Sequence, residues 1–280
     1  MIWRCRDVVF DVADRTLVMG VLNVTPDSFS DGGRHFAPEA AIARGRELLA
    51  EGADLLDVGA ESTRPGAPPV ADAEQLRRLE PVLAALAALP GAVLSVDTRS
   101  AAVAARALAL GARVVNDVSA LADPGMAGVA AAHAAGVVLM HMRGTPATMQ
   151  RETGYADVTG EVAAFLRARV AAARAAGIAE EAIALDPGIG FGKSAAGSVE
   201  LLARTGELAA LGRPLVVGAS RKSFLGRLTG DAPAHDRLEA SLAAAAIAAF
   251  AGARIVRVHD VAASVRALRV ADAARAAARR

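Results

Sequence analysis

The sequence holds one cysteine, Cys5, which excludes an internal disulfide and any zinc site built on several cysteines. Lysine is almost as scarce. Only Lys193 and Lys222 occur, every other basic side chain being arginine, so each ammonium stands out for chemistry that a guanidinium does not do. Excess charge is missing too. Lys and Arg total 31 against 30 Asp and Glu, a formal net charge of +1, so no global field draws the chain to nucleic acid or an anionic membrane. Any anion must be held by a local cluster. No apolar run reaches the ~20 residues that span a bilayer. The longest, residues 240–253, is alanine-rich and reads as a buried helix. Arg4, Arg6 and Asp7 stand where a secretory signal needs an apolar stretch, so a cytoplasmic protein is expected. No linker composition or low-complexity tract divides the 280 residues, and a single domain over 1–280 is expected.

What is present is apolar material, 54% of the chain, enough for one large core. It comes in short runs at 17–22, 54–58, 93–96, 113–115, 137–140, 183–185, 215–217 and 255–258. Most are rich in Val, Ile and Leu with few charges, as strands buried on both faces should be. Helical patterns lie between them at 38–51, 73–89, 100–110, 157–176 and 236–251, several opening on Pro, Ser or Asp and closing at Gly52, Gly111, Gly177 or Gly252. Alternating strand and helix predicts an α/β fold with a parallel sheet, and eight repeats predict closure into a (β/α)8 TIM barrel. Residues 8–12 and 15–19 flank Ala13-Asp14, a pattern that predicts an N-terminal β-hairpin capping the barrel floor.

The functional signal follows the runs. Strand by strand, the apolar stretch gives way to Asn23, Asp57, Asp97, Asn116, His141, Asp186, Ser220 and then Arg257 with His259. In a barrel all eight C-terminal ends surround one mouth, where barrel enzymes place their chemistry. Loops are polar anyway, which accounts for two or three of these residues. It does not account for Asp or Asn against the strand at so many corners, where burial would leave them without partners.

Gly20-Val-Leu-Asn-Val-Thr-Pro-Asp-Ser-Phe-Ser-Asp-Gly-Gly33 leaves the first strand as a turn-rich lid, or equally as an ordinary surface loop. Gly59-Ala-Glu-Ser-Thr-Arg-Pro-Gly66 offers Thr63 and Arg64 to a carboxylate or phosphate. Asp186-Pro-Gly-Ile-Gly-Phe-Gly-Lys-Ser194 invites a phosphate-loop reading, but the required glycine five residues before its Gly-Lys is Pro187. It is a glycine-rich turn that brings backbone close to a ligand, with Phe191 as an apolar contact. Gly218-Ala-Ser-Arg-Lys-Ser223 runs from a strand into a helix start, where Lys222 and Ser223 suit a carboxylate or phosphate. Arg257 and His259 alternate on the last strand and project to one side, two potential cations for an anion such as pyrophosphate. His133 and His235 have no such context, and His141 borders the mouth.

Together with Ser95-Val-Asp-Thr-Arg99, Asn116-Asp-Val-Ser119, Leu139-Met-His-Met-Arg-Gly-Thr-Pro146 and Arg257-Val-His-Asp260, these segments resemble the dihydropteroate synthase family in order and spacing over nearly the whole chain. The resemblance implies a homodimeric transferase of folate biosynthesis and sulfonamide target. It implies that Asp97, Asn116, Asp186 and Lys222 bind a pterin, with Met140 and Phe191 beside it and Arg257 stacked on its plane. Thr63, Arg64, Pro65, Phe191, Ser220 and Ser223 would shape a p-aminobenzoate site. Asn23, Arg64, Arg257 and His259 would hold a diphosphate, and Asn23 would ligate Mg2+. Asn23, Asp97, Lys222, Arg257 and His259 would be catalytic. The expected reaction joins 7,8-dihydropterin-6-ylmethyl diphosphate to p-aminobenzoate, with no nucleic acid or membrane partner. Two alternatives stand beside it. A non-catalytic paralogue would bind pterin and condense nothing. A corrinoid-dependent methyltetrahydrofolate methyltransferase would have no use for the loops at 59–66 and 218–223.

Overall fold

The structure is a computed structural model that describes residues 1–25 and 38–278. The far half of the glycine-rich segment after the first barrel strand, residues 26–37, lies outside the described residues, and so does the expectation of a lid there.

Eight parallel strands form the centre: β3 (Leu17–Asn23), β4 (Leu55–Gly59), β5 (Leu94–Asp97), β6 (Val114–Asp117), β7 (Gly136–Met140), β8 (Ile183–Asp186), β9 (Val216–Val217) and β10 (Ile255–Val258). They are ordered β8-β7-β6-β5-β4-β3-β10-β9, and a parallel bridge from Leu185 to Leu215 closes the ends on each other. The expected barrel is therefore the observed one. Around it run α1 (Pro38–Ala50), α2 (Asp72–Ala87), α3 (Ala101–Ala109), α4 (Met126–Ala132), α5 (Val158–Ala175), α6 (Ala195–Ala203), α7 (Thr205–Ala209), α8 (Ser223–Leu228), α9 (Leu238–Ala251) and α10 (Val261–Ala277). The expected start signals act as caps: the Ser100 side chain accepts from the Val103 amide and Asp157 from the Gly160 amide. No helix among the described residues is long and apolar enough to cross a membrane.

The N-terminal hairpin is present with different arms from those expected. It pairs β1 (Ile2–Cys5) with β2 (Val8–Asp11), antiparallel, around a turn in which Arg6 takes the left-handed conformation at φ 59°. Residues 15–19 do not form its second arm. Leu17, Val18 and Met19 are buried and pair in parallel with β10, and Met19 also pairs with β4, so burial on both sides claims them for the barrel. The alternation that matters lies one segment earlier. Trp3 and Cys5 point inward and are fully buried, while Ile2 and Arg4 face solvent. The Trp3 indole donates to the Ala182 carbonyl at 3.0 Å. Trp3 and Cys5 then pack with Leu17, Met19, Val114, Val138 and Ile255, which seals the barrel floor. Each such large apolar side chain contributes about 1.5–3 kcal/mol by leaving water. The floor being apolar and closed, polar chemistry is confined to the opposite end.

Candidate active site

Strand register brings the polar corners side by side. Asp97 on β5 lies level with Gly59 on β4 and with Asn116 on β6, and Met140 on β7 lies level with Asp186 on β8. Asp97, Asn116, Met140 and Asp186 are all buried. Across the barrel, β10 presents Arg257 to the same space. Its Nε donates to Asp57 Oδ2 at 2.6 Å and its Nη2 to Asp97 Oδ2 at 2.8 Å.

Asp57 anchors this floor of the mouth. It is fully buried and accepts from the Ser95 hydroxyl at 2.6 Å, from Asn116 Nδ2 at 2.9 Å and from Arg257. The sequence marked it as a polar strand end and gave it no role. Its partners come from β5, β6 and β10, a convergence that spacing along the chain does not reveal. Asn116, expected as a donor to a ligand, has one amide hydrogen committed to Asp57, which leaves Oδ1 and the second hydrogen for other partners. Asp117 beside it serves the loop, accepting from the Ser119 amide and hydroxyl and from the Leu121 amide.

Burial sets the electrostatics. It pushes Asp97 up to about 7, with Arg257 opposing and Asp57 adding to the rise. Burial raises Asp186 as well, against the pull of Lys222. Lys222 is brought down to about 8 by burial, with Asp186 resisting. Burial works against the charge on Arg257, but Asp57 and Asp97 outweigh it and keep the guanidinium protonated.

The turn after β8 is built around the lysine the sequence left without a role. Lys193 is buried, and its Nζ donates to the carbonyls of His141, Gly188 and Phe191 at 3.2, 2.9 and 2.8 Å and meets His141 Nδ1 at 3.0 Å. The imidazole of His141 is held neutral, its pKa lowered to about 3 by burial and by Lys193. It belongs to this scaffold, edge-on to Phe165. Gly188 sits at φ 63°, and a Cβ there would come within 2.0 Å of the His141 carbonyl oxygen, so only glycine fits. The turn offers the Ile189 carbonyl to Lys222 Nζ, which also lies 4.4 Å from the centre of the Phe191 ring.

The remaining expected residues rim the mouth. Thr63 is half-buried, Arg64 and Pro65 are exposed, and the loop that carries them is tied to the loop after β7 by a Gly66 amide to Pro146 carbonyl bond of 3.0 Å. Glu61 at its base pairs with Arg99 at 2.8 Å, which joins two of the sequence motifs directly. Ser223 is exposed at the start of α8. Ser220, expected at the p-aminobenzoate site, has its Oγ 3.0 Å from His259 Nδ1. Asn23 ends β3 half-buried, and its side chain has no hydrogen-bond partner among the described residues.

Among the described residues no three His, Cys, Asp or Glu side chains converge to hold a metal ion. The Asn23 amide oxygen has no partner among the described residues and is free to ligate. That donor set suits a hard ion taking most of its ligands from a bound phosphate and water, as Mg2+ does.

The mouth thus offers buried acceptors and donors on one side and Lys222, Arg257, Arg64 and His259 on the other, a fit for a flat heteroaromatic carrying an anion. The family model described as "pterin binding enzyme" matches residues 19–259. The dihydropteroate synthase of Neisseria meningitidis serogroup B is 49% identical over 266 residues, 93% of each chain. The Xanthomonas albilineans dihydropteroate synthase solved with 4-aminobenzoic acid superposes with a TM-score of 0.92 at 48% identity, covering 98% of both chains. The same enzyme in complex with 7,8-dihydropteroate gives 0.88 at 45% identity, covering 99% of both. Since the match runs from Met19 in β3 to His259 and takes in every corner of this mouth, the chain belongs to the dihydropteroate synthase family of pterin-binding enzymes.

Proposed function

We propose that this protein condenses 7,8-dihydropterin-6-ylmethyl diphosphate with p-aminobenzoate to give 7,8-dihydropteroate and pyrophosphate. The observation that carries the reading is the array of buried Asp97, Asn116 and Asp186 with half-buried Lys222, backed by Arg257 on a single barrel mouth. The relative solved with 7,8-dihydropteroate supports it.

In this reading Asp97 and Asp186 accept from the pterin's amino and ring N–H groups, and Asn116 and Lys222 complete its edge. Met140 and Phe191 supply apolar contact. Pterin takes over the Asp97 acceptor from Arg257 Nη2, which turns to the diphosphate while Nε stays on Asp57. His259 and Arg64 join it there. Thr63, Arg64, Pro65, Phe191 and Ser223 shape the p-aminobenzoate site.

The aniline nitrogen attacks the methylene carbon as the C–O bond to diphosphate breaks, and the nitrogen then loses a proton. Neutral aniline is already a nucleophile, so the barrier lies in the charge of the leaving group and in cation development at the methylene. Arg257 and His259 stabilise the first, and the carboxylates of Asp97 and Asp186 favour the second. The loop at 59–66, tied to the loop after β7, would exclude water that competes for the cation by closing over the bound substrates. Mg2+, held in part by Asn23, would add charge stabilisation on the diphosphate.

We also propose a homodimer. α9 and α10 present Ile247, Phe250 and Val270 to solvent at 50%, 51% and 71% exposure, on a face otherwise made of alanines including Ala246 and Ala274. An apolar patch of this kind marks an association surface.

Incubation with the dihydropterin diphosphate, p-aminobenzoate and Mg2+ tests the reaction. Pyrophosphate and dihydropteroate should appear together, require all three components, and stop when a chelator removes the metal. Calorimetric binding of pterin without any product would sink the synthase reading and leave a non-catalytic pterin-binding protein.

A further inference from the structure

The segments that follow β9 and β10 are latched to each other residue for residue. Ser220 Oγ meets His259 Nδ1 at 3.0 Å and accepts from the His259 backbone amide at 3.3 Å. The next residue on each side repeats the pairing: Arg221 Nε and Nη2 hold Asp260 at 3.0 and 2.5 Å. Arg221 sits at φ 59°, and its amide donates to Ser241 Oγ at 2.9 Å, which fixes the bend that carries both side chains. Ser220 is buried, and its hydroxyl has no other partner among the described residues.

The proton inventory of that contact decides the state of the ring. Ser220 Oγ already receives the His259 amide. If Nδ1 also carried a proton, Oγ would accept twice and its own hydrogen would be buried without an acceptor. If Ser220 donates to Nδ1, every polar atom of the pair is satisfied and the imidazole proton sits on Nε2. A neutral ring also suits the surroundings. Burial first, and then the charges of Arg257 and Arg221, bring His259 down to about 4, so it adds no further cation to the cluster.

We infer that Ser220 is a positioning residue, which fixes His259 as the neutral Nε2–H tautomer and aims that hydrogen at the diphosphate of the substrate. This inference rests on the diphosphate assignment made above, and it takes Ser220 out of the p-aminobenzoate site. It gives the latch a purpose beyond packing. A neutral donor held in one orientation recognises the leaving pyrophosphate without reorganising as charge develops on it.

Imidazole 1H–15N correlation spectra of the wild-type protein at pH 7 test the tautomer directly. The five histidines are separated by comparison with His259→Gln. The expected spectrum shows a bare Nδ1 and a protonated Nε2. In Ser220→Ala the ring should become a tautomer mixture. Inorganic pyrophosphate should then bind roughly tenfold more weakly by calorimetry, the scale set by misdirecting one hydrogen bond to a charged group. KM for the pterin diphosphate should rise with it and KM for p-aminobenzoate should stay within about twofold, and Ser220→Thr, which keeps the hydroxyl, should recover most of the loss. A proton on Nδ1 in the wild type would overturn the inference, and so would a selective rise in KM for p-aminobenzoate in Ser220→Ala. A protein with the expected tautomer and no synthase turnover would leave the latch standing and sink the proposed reaction instead.

Discussion

Arg257 Nη2 lies 2.8 Å from Asp97 Oδ2, so the guanidinium expected to face the diphosphate is held, by one arm, at the carboxylate expected to receive the pterin. Its other arm is on Asp57, which is fully buried and shares the same oxygen with Asn116. Asp57 therefore sets the position of one proposed pterin contact and one proposed diphosphate contact together. Asp57→Asn keeps the shape and removes the charge. Because Arg257 retains Asp97 as a partner, the stability loss should fall below the ~3–5 kcal/mol typical of a broken buried pair, at about 2 kcal/mol. The kinetic effect should be larger and selective: kcat/KM for the pterin diphosphate should drop at least tenfold, with KM for p-aminobenzoate little changed. Steady-state kinetics with each substrate varied in turn would show this, and an unchanged pterin KM would remove Asp57 from the site.

Asp97 gives the mouth a pH dependence. Burial raises its pKa to about 7 from an ordinary 3.8, with Arg257 opposing. The ionised form is the acceptor, so kcat/KM for the pterin diphosphate should fall as the pH drops through about 7, and it should level off above that. Stability should respond in the opposite sense. A carboxyl with a higher pKa in the folded than in the unfolded state holds its proton more tightly when folded, so stability is lost as the pH rises from about 4 to about 7. Asp97→Asn should flatten both curves. Urea unfolding and kcat/KM measured across that range in both proteins would check it. Parallel slopes in stability would show that some other group titrates.

Much of this was legible along the chain because a parallel barrel writes its geometry into strand ends. Apolar runs leading to Asp97, Asn116, Asp186 and Arg257 had to converge once eight strands closed. The hairpin was misplaced because alternation around Ala13-Asp14 resembles a turn as well as Arg6-Asp7 does. Only the parallel pairing of Leu17–Asn23 with β4 and β10 separates the two. Asp57 and Lys193 were conspicuous in type and silent in role. What each does depends on partners from other strands and loops: Ser95, Asn116 and Arg257 for one, His141 and two turn carbonyls for the other. The contact of the Ser220 hydroxyl is likewise invisible along the chain, because its partner lies 39 positions away.

Lys193 makes a prediction about folding as much as about catalysis. Its ammonium shares three hydrogens among three carbonyls and one imidazole nitrogen in a buried turn. Lys193→Met keeps the length and removes every donor. Each acceptor left buried and unpaired costs about 1–3 kcal/mol, and partial relaxation of the turn should hold the total near 3–4 kcal/mol. Phe191 and the Ile189 carbonyl would shift with the turn, so KM for both substrates should rise even where the protein remains folded. Gly188→Ala should damage the same turn through its clash with the His141 carbonyl. Urea denaturation would decide the matter: a loss of under about 0.5 kcal/mol in Lys193→Met would mean the turn stands without its lysine.

The exposed face of α9 and α10 yields the last prediction. Ile247, Phe250 and Val270 are large, apolar and uncovered, and the alanines between them leave the surface flat enough for a second copy to approach closely. A dimer built there would be two-fold symmetric, with each face meeting its own copy. A charge at the centre of such a face is repeated across the axis, so Phe250→Glu places two carboxylates against each other in a desolvated contact. In sedimentation at about micromolar concentration, where a standard-sized interface stays associated, the wild type should run as twice the 28.4 kDa chain and the variant as one. The barrel mouth contains no residue of this face, so the variant should keep its affinity for the pterin diphosphate. A wild-type protein that sediments as a single chain would show that the patch serves something other than self-association.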